Sequence, residues 1–107
     1  MSEEELAQLL IELKAGLAAL YDSRLTGVYL FGSYARRDQD AESDLDIMIV
    51  LSDFQKYGAE LECTSELASR LSLKYGVSVS VVFSRQQEWL AADTLLLRNV
   101  RKEALPV

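Results

Sequence analysis

Two carboxylates two residues apart, Asp44 and Asp46, open the apolar run Asp-Leu-Asp-Ile-Met-Ile-Val-Leu at residues 44–51. In a strand, positions i and i+2 share a face, so the two acids stand side by side where a buried strand begins. Like charges this close repel, and their burial is costly unless a cation lies between them. Hard oxygen donors suit Mg2+, which is commonly held by one or two carboxylates together with substrate phosphates. Ahead of this pair, separated from it by the ten residues 34–43, lies Gly32-Ser33. Gly32 lets the backbone approach a ligand closely. Ser33 offers a hydroxyl and a backbone N–H to a phosphate, and a short helix starting there would also favour an anion. Arg36 and Arg37 add fixed positive charge. Taken singly, each feature has an ordinary reading: aspartates at a strand edge, a Gly-Ser turn, a solvated arginine pair. In strand–turn–strand order they describe a candidate site for a metal-bound triphosphate.

Elements able to position that site are legible in the hydrophobic pattern. Leu6, Leu9, Leu10, Leu13, Leu17 and Leu20 recur at helical spacing, and Ser2 with Glu5 makes a capping box, so a helix is predicted over 3–22. Residues 27–31 read as a short strand ending at the Gly-Ser turn, and residues 34–43 as a helical turn followed by a loop. The 44–51 strand is apolar on both faces after Asp46, the pattern of a central strand. Ser52 and Gln55 offer a second capping box, ahead of a helix over 54–75 with Tyr57, Leu61, Leu67, Leu71 and Tyr75 near one face. Gly76 is placed to end that helix. Alternation over 77–83 predicts a third strand, and 85–92 and 94–103 read as short helices. The order implies one α/β (α+β) domain over 1–107, a small mixed β-sheet with helices packed on it.

Composition removes whole classes of function. The 107 residues contain no histidine, so Ser-His-Asp, Cys-His and His-metal chemistry are excluded. Eleven basic against seventeen acidic residues give a formal net charge of −6, which repels a polyanion and argues against direct nucleic-acid binding, but not against a metal-bound nucleotide. Cys63 is the only cysteine, so no internal disulfide forms; with no signal peptide and no membrane-length apolar run, the expected location is cytoplasmic, with no membrane. Cys63 itself reads as an incidental helical residue and Trp89 as a core or interface anchor. Arg98, Arg101 and Lys102 read as a solvated helix face.

The pattern Gly32-Ser33, ten residues, then Asp44-Leu45-Asp46 resembles the signature of the nucleotidyltransferase superfamily related to DNA polymerase beta. Ala35-Arg36 after the Gly-Ser, the run Ser43–Asp46, and the stretches Leu71–Gly76 and Arg98–Glu103 resemble its minimal nucleotidyltransferase branch, so the likeness covers nearly the whole chain. The resemblance implies the nucleotidyltransferase fold and transfer of a nucleoside monophosphate, with ATP as substrate and Mg2+ as cofactor. Carried over residue by residue, Asp44 and Asp46 would be the catalytic metal ligands. Gly32, Ser33 and Arg36 would hold the nucleotide, Ser33 also counting as catalytic. It further implies a partner, an all-helical HEPN toxin, with this chain as the antitoxin that adenylylates one of its tyrosines. A second copy of the chain is kept open as another partner. One departure stands out. The superfamily's third carboxylate falls on the 77–83 strand, whose inward polar positions are Ser78 and Ser80, and Ser80 occupies its place. A hydroxyl is no comparable base or anionic ligand, which brings the two-metal arrangement into question. Glu42, or a carboxylate on the helix after residue 53, is the expected substitute. The alternative reading is a degenerate module that silences its partner by contact alone. A small-molecule nucleotidyltransferase is disfavoured, because the chain leaves no room for an acceptor domain.

Overall fold

A computed structural model describes residues 1–107. The Ser2 hydroxyl accepts from Glu5 N–H at 3.1 Å and the Glu5 carboxylate from Ser2 N–H at 2.9 Å, so the anticipated capping box starts helix α1, Glu3–Tyr21. Leu9, Leu13 and Leu17 of its leucine stripe are buried, but the stripe ends on Tyr21; Leu20 is 45% exposed. After the stripe's 9–13–17 spacing, four more residues reach 21, and the rotation carries Leu20 off the buried face.

A single 3-10 turn leads to strand β1, Leu25–Phe31, then the short helix α2, Ser33–Arg36, and strand β2, Leu45–Leu51. Helix α3, Tyr57–Tyr75, carries the chain to strand β3, Val79–Arg85. Helices α4, Gln86–Ala91, and α5, Leu95–Glu103, and a two-residue strand β4, Leu105–Pro106, complete the order. The sheet runs β3-β2-β1-β4. β1 is antiparallel to β2 and β4, and β2 is parallel to β3, so the sheet is mixed as expected. The parallel pair needs a crossover, which α3 supplies.

Several boundaries differ from the sequence reading, and β1 begins two residues earlier than the strand read over 27–31. The Ser52–Gln55 box does not form, and α3 begins three residues late, behind Lys56, with no side-chain cap. Phe54 is the reason: it is 7% exposed in the core, and a chain that buries Phe54 there turns before it coils. Helix α3 then buries Thr64, Leu67 and Leu71, while Tyr57 and Leu61 are exposed. β3 starts two residues late, in register with Leu45. β4 had no signal; its Pro106 sits on an edge, where a missing N–H costs nothing. Gly76 caps α3 at φ +67° as expected.

The sheet separates two cores. On one face α1 and α3 close over fourteen buried residues, including Leu13, Leu30, Leu45, Ile47, Ile49 and Leu71. On the other, α4 and α5 cover five: Met48, Val50, Trp89, Leu97 and Val100. β2 is thus buried on both sides after Asp46, as its sequence requires.

Candidate active site

Strand directions bring the chemistry together. Antiparallel pairing sets the end of β1 against the start of β2, with Phe31 opposite Asp46, so the Gly32-Ser33 turn lies beside the aspartates. Gly32 adopts φ +76°, and a Cβ built on it would collide with the Asp46 carboxylate. Both facts demand glycine: the left-handed backbone, and the close approach of carboxylate to main chain.

A cleft of about 450 Å3 opens at this end of the sheet, on the face covered by α4 and α5. Gly32, Ser33, Arg36, Asp44 and Asp46 all line it and so meet in one place. Arg37 does not; it lies with Tyr34 against the start of α1. Trp89 is buried beneath the second face, its ring 4.8 Å from that of Tyr29, and is core. Cys63 is exposed on α3.

The electrostatics of the aspartate pair are uncompensated. Neither Asp44 nor Asp46 forms an ion pair within the chain. Burial, and then the neighbouring Asp44 charge, push the Asp46 carboxyl above its ordinary value; Arg36 only partly opposes this. No three metal-ligating side chains cluster anywhere in the chain. Two hard, unpaired carboxylates at the mouth of a cleft nevertheless fit Mg2+, which needs few protein ligands when phosphates supply the rest.

Ser80 stands in register beside Asp46 on the parallel strand β3 but does not line the cleft. The expected substitutes for a third carboxylate are corrected by the geometry. Glu42 lies on the exposed loop, and the helix after residue 53 packs against the opposite face; neither lines the cleft. The carboxylate that does is Glu103, the last residue of α5. Its Oε1 accepts from Gly32 N–H at 3.0 Å and its Oε2 from Arg36 Nη1 at 2.9 Å. Arg36 also donates to Asp38 at 3.2 Å. Ser43, Leu96, Asn99 and Val100 are further lining residues that the sequence reading left out. Leu96, Asn99, Val100 and Glu103 recur at helical spacing along one face of α5, the signal that could have found them.

Comparison with known proteins shows the family and the fold. Residues 17–102 match the family model described as Polymerase beta, Nucleotidyltransferase. The chain is 34% identical over 82 residues to "Putative protein adenylyltransferase MJ0141" of Methanocaldococcus jannaschii, covering 77% of this chain and 82% of that one. Among solved structures, a putative minimal nucleotidyltransferase superposes over the whole of both chains with TM-score 0.63 at 25% identity. A chain from a toxin–antitoxin crystal structure with AMP-PNP gives TM-score 0.61 at 26% identity, over 99% of this chain and 72% of that one. A complex of tri-AMPylated Shewanella oneidensis HEPN toxin with MNT antitoxin shares the fold, with TM-score 0.51 at 20% identity, over 92% and 70% of the two chains. No helix is long and apolar enough to cross a membrane.

Proposed function

Because the chain belongs to the Polymerase beta nucleotidyltransferase family, we propose that it transfers AMP from ATP to a hydroxyl of a partner protein, a HEPN toxin that it thereby neutralises as antitoxin. The observation that carries this is the single cleft gathering a positive-φ Gly-Ser turn, Arg36 and two unpaired aspartates. The adenylyltransferase name of the M. jannaschii relative supports AMP as the group transferred, and the toxin–antitoxin neighbours support a toxin as acceptor.

In this reading Asp44 and Asp46 hold Mg2+, which when bound neutralises the triphosphate and the charge developing on the leaving pyrophosphate. Gly32 and Ser33 seat the phosphates, and Arg36 adds positive charge at the same wall of the cleft. The partner's hydroxyl oxygen attacks the α-phosphorus, the bond to the bridging oxygen of pyrophosphate breaks, and the hydroxyl proton is released to water. Ser80 supplies no base, so the chain contributes mainly positioning and electrostatics, on which phosphoryl transfer largely depends. The acceptor hydroxyl comes from the partner.

The test is label transfer from α-labelled ATP with Mg2+ to a co-purified helical partner, with Asp44→Asn/Asp46→Asn as the control. Label on the partner, absent in the control, is the expected result; equal label in both would sink the proposal. Ser80 beside Asp46, with no third ligand, favours one second reading: a binding module that silences the partner without chemistry. A stable, silenced complex carrying no label would establish it.

A further inference from the structure

Glu103 is electrostatically misplaced. It ends α5, where the helix dipole disfavours an anion, and it faces a cleft that already holds Asp44 and Asp46. Its charge is repaid by two contacts only, both across 67 or more residues of chain: Gly32 N–H to Oε1 at 3.0 Å and Arg36 Nη1 to Oε2 at 2.9 Å. One backbone donor and one guanidinium converging on a pair of anionic oxygens is the arrangement by which proteins hold phosphate. Here the same two donors are satisfied by the chain's own carboxylate. We propose that Glu103 is a built-in phosphate surrogate: its carboxylate fills the anion subsite, and a nucleotide enters by exchanging its phosphate oxygens for those of Glu103 on Gly32 and Arg36. This rests on the nucleotide-binding reading above and adds to it a residue that sets nucleotide affinity from within the cleft.

The exchange fits the geometry on both sides. Glu103 is half-buried, its side chain 26% exposed, so the carboxylate has a route to solvent when displaced. Arg36 is exposed and swings on a flexible stem, already shared with Asp38. The surrogate also keeps Gly32 N–H, a donor at a buried residue, from being left unpaired in the nucleotide-free protein. The opposite role, in which Glu103 braces Gly32 and Arg36 for the nucleotide, predicts the reverse sign of every effect below.

Calorimetric titration of the full chain with MgATP, inorganic tripolyphosphate and adenosine separates the two. For Glu103→Ala the expected result is about tenfold tighter binding of MgATP and of tripolyphosphate, the order of effect of releasing a charge-assisted contact, with adenosine unchanged. Glu103→Gln keeps the shape and an acceptor oxygen but loses the charge, and is expected to fall between wild type and Glu103→Ala. It also guards against a folding defect in the alanine variant. Equal or weaker MgATP binding in both folded variants overturns the exchange. If wild type binds MgATP and Asp44→Asn/Asp46→Asn does not, that failure belongs to Glu103 alone. If neither wild type nor any variant binds MgATP, the nucleotide reading falls and the exchange with it.

Discussion

The two faces of the sheet solve the problem of charge in opposite ways. At the rim of the α1/α3 face, Glu12 meets Lys74 at 2.7 Å and the Tyr75 hydroxyl, and these partners hold its carboxyl below the ordinary value. At the end of the α4/α5 face, Asp46 meets burial and another carboxylate, and its carboxyl is held above the ordinary value. The first face also carries the larger core, fourteen buried residues against five. Stability is thus concentrated on one side, where Glu12 finds its partners inside the chain. The other side keeps an open end at which Arg36 and Glu103 pair with each other but Asp44 and Asp46 have no ion pair. Unmet electrostatics in a cleft are a mark of function rather than of folding.

The sharpest way to break this contrast is to remove the unmet charge. Asp44→Asn with Asp46→Asn is expected to lower AMP transfer by about a thousandfold, roughly 4 kcal/mol of transition-state stabilisation, while circular dichroism stays that of the wild type. A comparable loss of fold would mean that the pair is structural and the two faces are alike. Next comes the contrast in packing. Leu13→Ala, in the large core, is expected to cost about 2–5 kcal/mol in chemical denaturation. Leu97→Ala, in the small core beside an open cleft, is expected at or below the bottom of that range, because its surroundings collapse more readily. Equal costs would show that core size does not distinguish the faces. Gly32→Ala is the smaller perturbation: the positive-φ backbone costs about 1–3 kcal/mol, and the added methyl must push Asp46 aside. Transfer is expected to fall more than stability, and a loss of stability alone would separate the turn from the site.

What could be read in the sequence follows the same division. Gly32, Ser33, Asp44 and Asp46 were legible because a turn and an i, i+2 pair are local, and pairing of adjacent strands brings them together. Alternation gave the face on which Ser80 lies, but its register beside Asp46 depends on the pairing of β3 with β2, which a single strand's pattern does not contain. Glu103 was not legible as a cleft residue: its partners lie 71 and 67 residues away, and only packing of α5 on the second face brings them together. The faint signal was an acid ending a helix whose last turn is otherwise basic. The start of α3 was misjudged because a local capping pattern lost to burial of Phe54, a tertiary choice. Two-residue β4 has no periodicity to detect.

The smallest effects give the cleanest test, because the two faces predict opposite signs. Asp46 has a folded-state carboxyl raised above its unfolded value of 3.8, so the metal-free protein binds its proton more tightly than the unfolded chain does. That stability is fully present below pH 3.8 and is lost as pH rises through the folded value. Asp46→Asn abolishes the loss, so in thermal melts without metal it is expected to be more stable than wild type at neutral pH, with the gap closing towards acid. Glu12 has a folded value lowered from 4.5; its stabilisation is present above that pH and disappears as pH falls through the lowered value. Glu12→Gln is therefore expected to be less stable than wild type at neutral pH, and again the gap closes towards acid. Added Mg2+ separates them further: it supplies the missing partner of Asp46, so it is expected to raise the melting temperature of wild type and of Glu12→Gln but not of Asp46→Asn. Two variants moving in the same direction at neutral pH would refute the contrast, since one carboxylate is held by the chain and the other waits for a cation.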